Sequence, residues 1–322
     1  MIDERSAAWA ADRRPRYGPA RLTDPTGNRR RRWTALLMPR LTPWLFLAVP
    51  LAFLITFTFV PVVNLIYYSF TNWDGFSPDK QWIGTKNYTE LFERPELFHV
   101  FYVSLYYMAA SLVQMALALY FATILSFNTR FRNLFKGILF FPYLINGVAI
   151  GFVFLYFFQP DGVLDHVVRA FGSHSRHLWL GDPNLANWSL ASVSVWRYMG
   201  LNFVLFLGAI QSIPGELYEA AELDGANRWH QFRHLIAPGI RPILGLSLIL
   251  AISGSLAVFE IPFIMTGGAG DTKTFVIQTI KLAFNFNKVG LASASAVVLL
   301  VLILIITWIQ RALLPSDKVD LV

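Results

Sequence analysis

Residues 213–238 read IPGELYEAAELDGANRWHQFRHLIAP, the one long polar interval that lies between two apolar runs and also carries strong helix signals. Pro214 ends the preceding run, because it has no N–H to donate and pushes the residue before it toward extended backbone. Glu216, Glu219 and Glu222 crowd the early turns of a new helix, where carboxylates meet the positive end of the helix dipole. Ala220, Ala221 and Leu223 favour helix, and Gly225 stands where a helix stops. The segment therefore predicts a short helix outside the apolar runs, with small residues that let another protein's surface come close. It reads as a docking element.

The chain on either side is a membrane chain. Of its 322 residues 55% are hydrophobic and only 15% charged, too little charge for a soluble protein of this size. The hydrocarbon core of a bilayer is roughly 30 Å thick, so about 20 predominantly apolar residues span it. Six such runs are present, at about 44–70, 100–127, 137–158, 189–213, 242–265 and 289–310. The fold class is all-α, with six core spans at 44–311, the docking loop 214–238 between spans four and five, and tails at 1–43 and 312–322. Pro50 and Pro61 predict kinks in the first span. There is no cysteine, hence no disulfide and no thiolate chemistry.

Orientation follows from the basic residues. With the N-terminus in the cytoplasm, 18 Lys and Arg fall in cytoplasmic segments against 8 in outer loops, and the positive-inside rule favours that arrangement. Both termini and residues 214–240 are then cytoplasmic. The run Arg29–Arg32 sits beside a membrane span and reads as a topology signal facing lipid rather than as a nucleic-acid site.

Several patterns invite a chemical reading and are better explained otherwise. Residues 267–274, GGAGDTKT, miss a P-loop because Thr272 stands where glycine must precede the lysine, and the stretch joins two spans instead of a strand and a helix. ATP hydrolysis must then reside in another subunit. His230 and His234 have the spacing of a helical zinc pair, but Gln231 replaces the zincin glutamate and no third ligand has a matching spacing, so no metal site is expected. No Gly-x-Ser-x-Gly elbow occurs. The 28 Phe, 12 Tyr and 10 Trp are in the main lipid-facing or interfacial.

Polar groups deep in spans are more informative, since an ionised one costs roughly 2.5–3.5 kcal/mol at the bilayer centre. Arg197 in span four and Glu260 in span five both fall in the outer half. They predict either a salt bridge locking two helices or a polar cavity on the solute path. Asn146, Asn202 and Gln114 fall near mid-depth, as helix–helix hydrogen bonds or as ligands for a hydroxylated solute. The substrate-path candidates are Asn146, Arg197, Asn202 and Glu260.

The run Glu216–Ala226, ELYEAAELDGA, followed by an apolar stretch ending at Pro238, resembles the EAA loop of carbohydrate-importer ABC permeases of the maltose and glycerol-phosphate type. Leu235, Ile236 and Ala237 replace the usual Ile-x-Leu before the proline and stay apolar. Ile83–Tyr88 and Met265–Gly270 resemble two outer-loop segments of the same family. The resemblance implies a subunit that is not itself an enzyme. It implies a second homologous permease, two nucleotide-binding ATPase subunits that hold ATP and Mg, an extracytoplasmic solute-binding protein and a carbohydrate substrate. It assigns ATPase coupling to Glu219, Ala220, Ala221, Asp224, Gly225 and Pro238, and places the protein in the cytoplasmic membrane. The rivals are a stand-alone secondary transporter, which should show internal repeats and charged relays, and a scaffold or sensor that only anchors an ATPase.

Overall fold

The computed structural model describes residues 43–44, 46–127, 131–172 and 177–313, and every structural statement below is made of those residues. The tails expected at 1–43 and 312–322 lie almost wholly outside them. Met1–Pro61 and Val62–Val322 form separate compact units. The described residues are helical, without a strand; an isolated antiparallel bridge joins Thr71 and Trp82.

Helix α1, Phe46–Ser69, is long and apolar enough to cross a membrane. The kink expected near Pro61 appears as a π-turn, Ile55–Phe59, in which the Val60 N–H donates to the Ile55 carbonyl one residue farther back than usual. Pro61 has no N–H for the carbonyl four residues earlier, so the ladder widens to re-pair. A short helix α2, Lys86–Glu93, follows, and Asn87 pins it by donating to the carbonyls of Ser69 and Thr71, each at 2.8 Å.

Helices α3, Pro95–Ser126, and α7, Pro183–Gln211, form the main pair of the second unit. Both begin with proline in the first turn, where the missing N–H costs nothing, and Asp182 caps α7 by accepting from the Asn184 N–H at 2.9 Å. Ala110, Ala118 and Ala122 are buried on α3, small enough to let α7 come close.

The third span departs from expectation. In place of one helix over 137–158 there are two, α4, Arg132–Leu144, and α5, Gly147–Phe157, bent by 96°. Ile145 and Asn146 have extended ψ values of 138° and 135°, and the Asn146 side chain accepts from the Val148 N–H at 2.9 Å. Asn146 is therefore the cap of a new helix. Five helices meet the length and composition for crossing, and the bent pair makes six if it is one crossing. Glycines fit this elbow against its neighbours. A Cβ on Gly200 of α7 would meet the Phe140 Cα of α4 at 2.9 Å, and one on Gly151 of α5 would meet the Ile264 side chain at 2.7 Å.

Helix α6, Val163–Ala170, lies between α5 and α7. Past α7 comes α8, Gly215–Leu223, and then a helical stretch of Arg228–Gln231, the π-turn Phe232–Ile236 and Ala237–Gly239. Helix α9, Arg241–Leu256, gives way at Ala257–Phe259 to α10, Glu260–Thr266, so the fifth span is interrupted as well. The near-P-loop stretch joins α10 to α11, Phe275–Ile280, through hydrogen bonds among its own threonines: Thr272 Oγ1 lies 2.6 Å from both Thr266 Oγ1 and the Ala269 carbonyl. Helix α11 was not expected in this loop; Phe275 and Ile277 bury it against its surroundings. Helix α12, Val289–Leu313, is the last helix among the described residues.

Two apolar clusters lie at different levels. One gathers Val103, Tyr107 and Ala110 of α3 with Ile150 of α5, Leu190 and Val193 of α7 and Ile261 of α10. The other gathers Ala118, Ala122 and Leu125 of α3 with Phe203, Phe206 and Ile210 of α7 and with Ile236 and Ile240 beyond α8. Between them α3 carries Ser111 and Gln114, and α7 carries Ser194, Arg197, Tyr198 and Asn202.

Candidate functional site: a mid-membrane cavity and an exposed helix

Between the two clusters lies a cavity of 380 Å³, walled by α3, α7, α9 and the break between α9 and α10. Along α7 its lining follows Ser194, Tyr198 and Asn202, four residues apart and thus on one face; along α3 it follows Tyr107, Ser111 and Gln114. Ser194 is 11 residues from the start of α7 and Asn202 is 9 from its end, or about 16 Å and 14 Å of helix at ~1.5 Å per residue. That is mid-depth.

The hydroxyls of Tyr107, Ser194 and Ser247 are buried without a hydrogen-bond partner. A buried unsatisfied hydroxyl costs about 1–3 kcal/mol, so three on one cavity mark a place for a polar occupant. The interrupted backbone at Ala257–Phe259 adds to this, because broken helix is tolerated at membrane depth only where it lines a cavity or is packed in protein.

Asn202 and Glu260 line this cavity, as does Gln114. Arg197 stands behind the wall, its Nη1 donating to Glu260 Oε2 at 2.6 Å and its guanidinium 5.0 Å over the Tyr198 ring. The two charges pair, one of the two arrangements the sequence left open, and Glu260 also lines the cavity. Asn146 is not among the lining residues. Sequence reasoning missed Tyr107, Ser194 and Ser247; the polar stripes at spacings of three and four on α3 and α7 were the signal for the first two, and Ser247 had none.

On the side of the spans reached after α7, α8 stands out with no buried residue. Its end is built as the sequence expects. The Ala226 N–H donates to the Ala221 carbonyl at 2.9 Å and the Gly225 N–H to Glu222 at 3.0 Å, with Gly225 at φ +77°. This is the paired hydrogen-bond pattern that stops a helix on a left-handed residue. Glu219 and Ala220 are exposed and Ala221 half-buried, while Asp224 and Leu223 project, the latter 89% exposed. Pro238 lies farther on, exposed within Ala237–Gly239. Burial pushes the Tyr218 phenol pKa up, and its hydroxyl is also unpartnered. His230 Nδ1 is 2.8 Å from Asn227 Oδ1, and no group of three metal-ligating side chains occurs among the described residues.

Ile213, Ile236 and Ile240 join the base of this projection to the lower apolar cluster, hence to α3 and α7. The exposed helix and the cavity therefore share two helices.

The family described as binding-protein-dependent transport system inner membrane component matches residues 114–317, which include α8 and the cavity lining apart from Tyr107 and Ser111. The chain belongs to this family. The permease is 33% identical to the probable ABC transporter permease YurN of Bacillus subtilis over 286 residues, 87% of this chain and 98% of the relative. It is 32% identical over 317 residues to the diacetylchitobiose uptake permease NgcF of Streptomyces coelicolor, covering 93% of this chain and 88% of that one. AmyD of Thermoanaerobacterium thermosulfurigenes, a probable permease for starch degradation products, is 30% identical over 285 residues, 86% of this chain and 95% of that one. Its fold matches, at TM-score 0.77 and 22% identity, a chain of a bacterial ABC transporter that imports alginate, over 89% of this chain and 99% of that one. The permease is thus a multi-pass inner-membrane component of an ABC transporter that works with a binding protein, a transport subunit rather than an enzyme.

Proposed function

We propose that this permease is one of two related membrane subunits of an ATP-driven importer for a carbohydrate, an oligosaccharide or a related polyol or glycerol phosphate. Two nucleotide-binding subunits dock on the cytoplasmic side and a binding protein delivers solute outside. The distribution of Lys and Arg supports cytoplasmic termini. Relatives named for diacetylchitobiose, starch degradation products and multiple sugars support the solute class, as does a cavity whose unpartnered groups are hydroxyls.

The observation that carries the reading is α8, a helix with no buried residue, rooted through Ile213, Ile236 and Ile240 in the helices that wall the cavity. An isolated nine-residue helix is marginal in water, so a surface left this open fits one covered by a partner. In this account the small Ala220 and Ala221 admit the ATPase surface, Glu219 and Asp224 pair with its basic or amide groups, and Gly225 holds the turn. Pro238 closes the segment. Closure of the ATPase pair moves α8, and the lower cluster passes that motion to α3 and α7, which exchange access to the cavity between the two sides. Asn202 and Glu260 meet solute along that path, and Arg197 holds Glu260. The transmembrane domain is 44–311, flanked by cytoplasmic tails.

Replacing Gly225 with Asp tests the assignment, because Asp tolerates the left-handed backbone but adds a carboxylate beside Glu222 and Asp224. Membrane insertion should persist while solute-stimulated ATP hydrolysis and uptake are lost. Normal uptake with Gly225→Asp removes the coupling role.

A further inference from the structure

Glu260 is the first residue of α10, and its carboxylate belongs at once to the cavity wall and to the ion pair with Arg197. A third element meets it there. Gly147, the first residue of α5 at the elbow of the broken span, is buried, and a Cβ built on it would collide with Glu260 Oε2 and Arg197 Nη1 and reach Glu260 Cδ at 2.7 Å. One ion pair thus occupies the space that a side chain at position 147 would need, where α5, α7 and α10 converge.

The nature of the obstacle matters. At Gly200 an added Cβ would strike the backbone of Leu139 and Phe140, which cannot move without parting two helices. At Gly147 the three nearest atoms it would meet belong to two long side chains, which swing aside. A methyl group there displaces the ion pair and leaves the helix packing in place. The Glu260 side chain is 48% exposed and lines the cavity, so a displaced carboxylate moves into open space there.

We propose that Gly147 is a positioning residue of the transport path: by leaving out a side chain it lets the Arg197–Glu260 pair seat in the elbow of the third span, and so keeps the Glu260 carboxylate against the cavity wall, neutralised, instead of free in the cavity. The proposal rests on the reading of that cavity as the solute path.

The absence of cysteine gives a direct test. Ser255→Cys places a thiol on the cavity wall, and its reaction rates with a cationic and an anionic methanethiosulfonate reagent report the charge there, in the assembled complex. Gly147→Ala is expected to raise the cationic-to-anionic rate ratio by about tenfold, as an unpaired carboxylate within reach of the thiol would. Adding Glu260→Asp, which draws the carboxylate back by one methylene, should return the ratio to within about twofold of Glu260→Asp alone. Thermal stability of Gly147→Ala should stay near wild type and well above that of Gly200→Ala. An unchanged ratio in Gly147→Ala, a changed ratio that Glu260→Asp fails to restore, or a stability loss equal to that of Gly200→Ala overturns the proposal. Uptake of labelled maltotriose and N,N′-diacetylchitobiose by the same complexes separates the two claims. Restored charge without restored uptake rejects a role in transport, whereas no uptake of either sugar by the wild-type complex counts against the carbohydrate reading alone.

Discussion

Gly225 ends α8 at φ +77°, and a Cβ placed on it would find nothing within 4 Å. Substitution there has no steric consequence in the subunit, so the effect of an uncharged side chain is conformational. A residue with a Cβ pays about 1–2 kcal/mol in the left-handed region, a factor of roughly 5–30 in the population of the stopped helix. Asn, whose short side chain favours that region, loses less. Solute- and binding-protein-stimulated ATP hydrolysis should therefore fall in the order Gly, Asn, Ala, Val at position 225, with Gly225→Ala down by about 5–30-fold. Insertion into the membrane and basal hydrolysis by the isolated ATPase subunits should be unchanged across the series. Equal stimulated activity for Gly225→Asn and Gly225→Ala would refute the argument that the turn geometry matters for coupling.

Three further outcomes follow from the same geometry. Gly200→Ala forces α4 and α7 apart and should lower the stability of the purified subunit by about 1–3 kcal/mol in thermal unfolding, as overpacking does. Asn146→Ala removes the cap of α5 and should cost about 0.5–2 kcal/mol, read in the same way, whereas Asn146→Asp should cost less. On the side opposite α8, the Trp179 indole N–H donates to Asp165 Oδ1 at 2.7 Å and is the largest cause holding that carboxyl below its ordinary pKa. A lowered folded-state pKa stabilises the fold above the unfolded pKa and is lost as pH falls through the folded value. Trp179→Phe should accordingly make resistance of this loop to proteolysis less dependent on pH in the acid range.

The all-α class, five of the six spans to within a few residues, and the short helix α8 with its glycine stop were legible because each rests on local chemistry. Apolar length marks a span, and prolines, early carboxylates and a glycine punctuate α8. The elbow of the third span was not legible. Ile145 and Asn146 sit in an apolar run whose length alone says one crossing, and the close fit of Gly151 and Gly200 that accompanies the bend is against partners distant in sequence. The Arg197–Glu260 pair could be guessed from depth, since two opposite charges in one half of a bilayer seek each other. The cavity could be only half seen, because the hydroxyls of Tyr107, Ser194 and Ser247 are ordinary in sequence and become conspicuous only when burial leaves them unpartnered. Helix α11 escaped notice because Gln278 and Lys281 break a short apolar stretch, and Lys281 proves to donate to the Gly267 carbonyl at 2.7 Å.

Site-directed cross-linking at Leu223 asks the central question most directly. This residue is 89% exposed at the end of α8, in a chain with no native cysteine. In the assembled complex, Leu223→Cys carrying a short thiol-linked photo-cross-linker should join the nucleotide-binding subunit, and the yield should change between the ATP-bound and nucleotide-free states. Labelling of that cysteine by a membrane-impermeant reagent added outside intact cells, with no adduct to the ATPase in either state, would contradict the account.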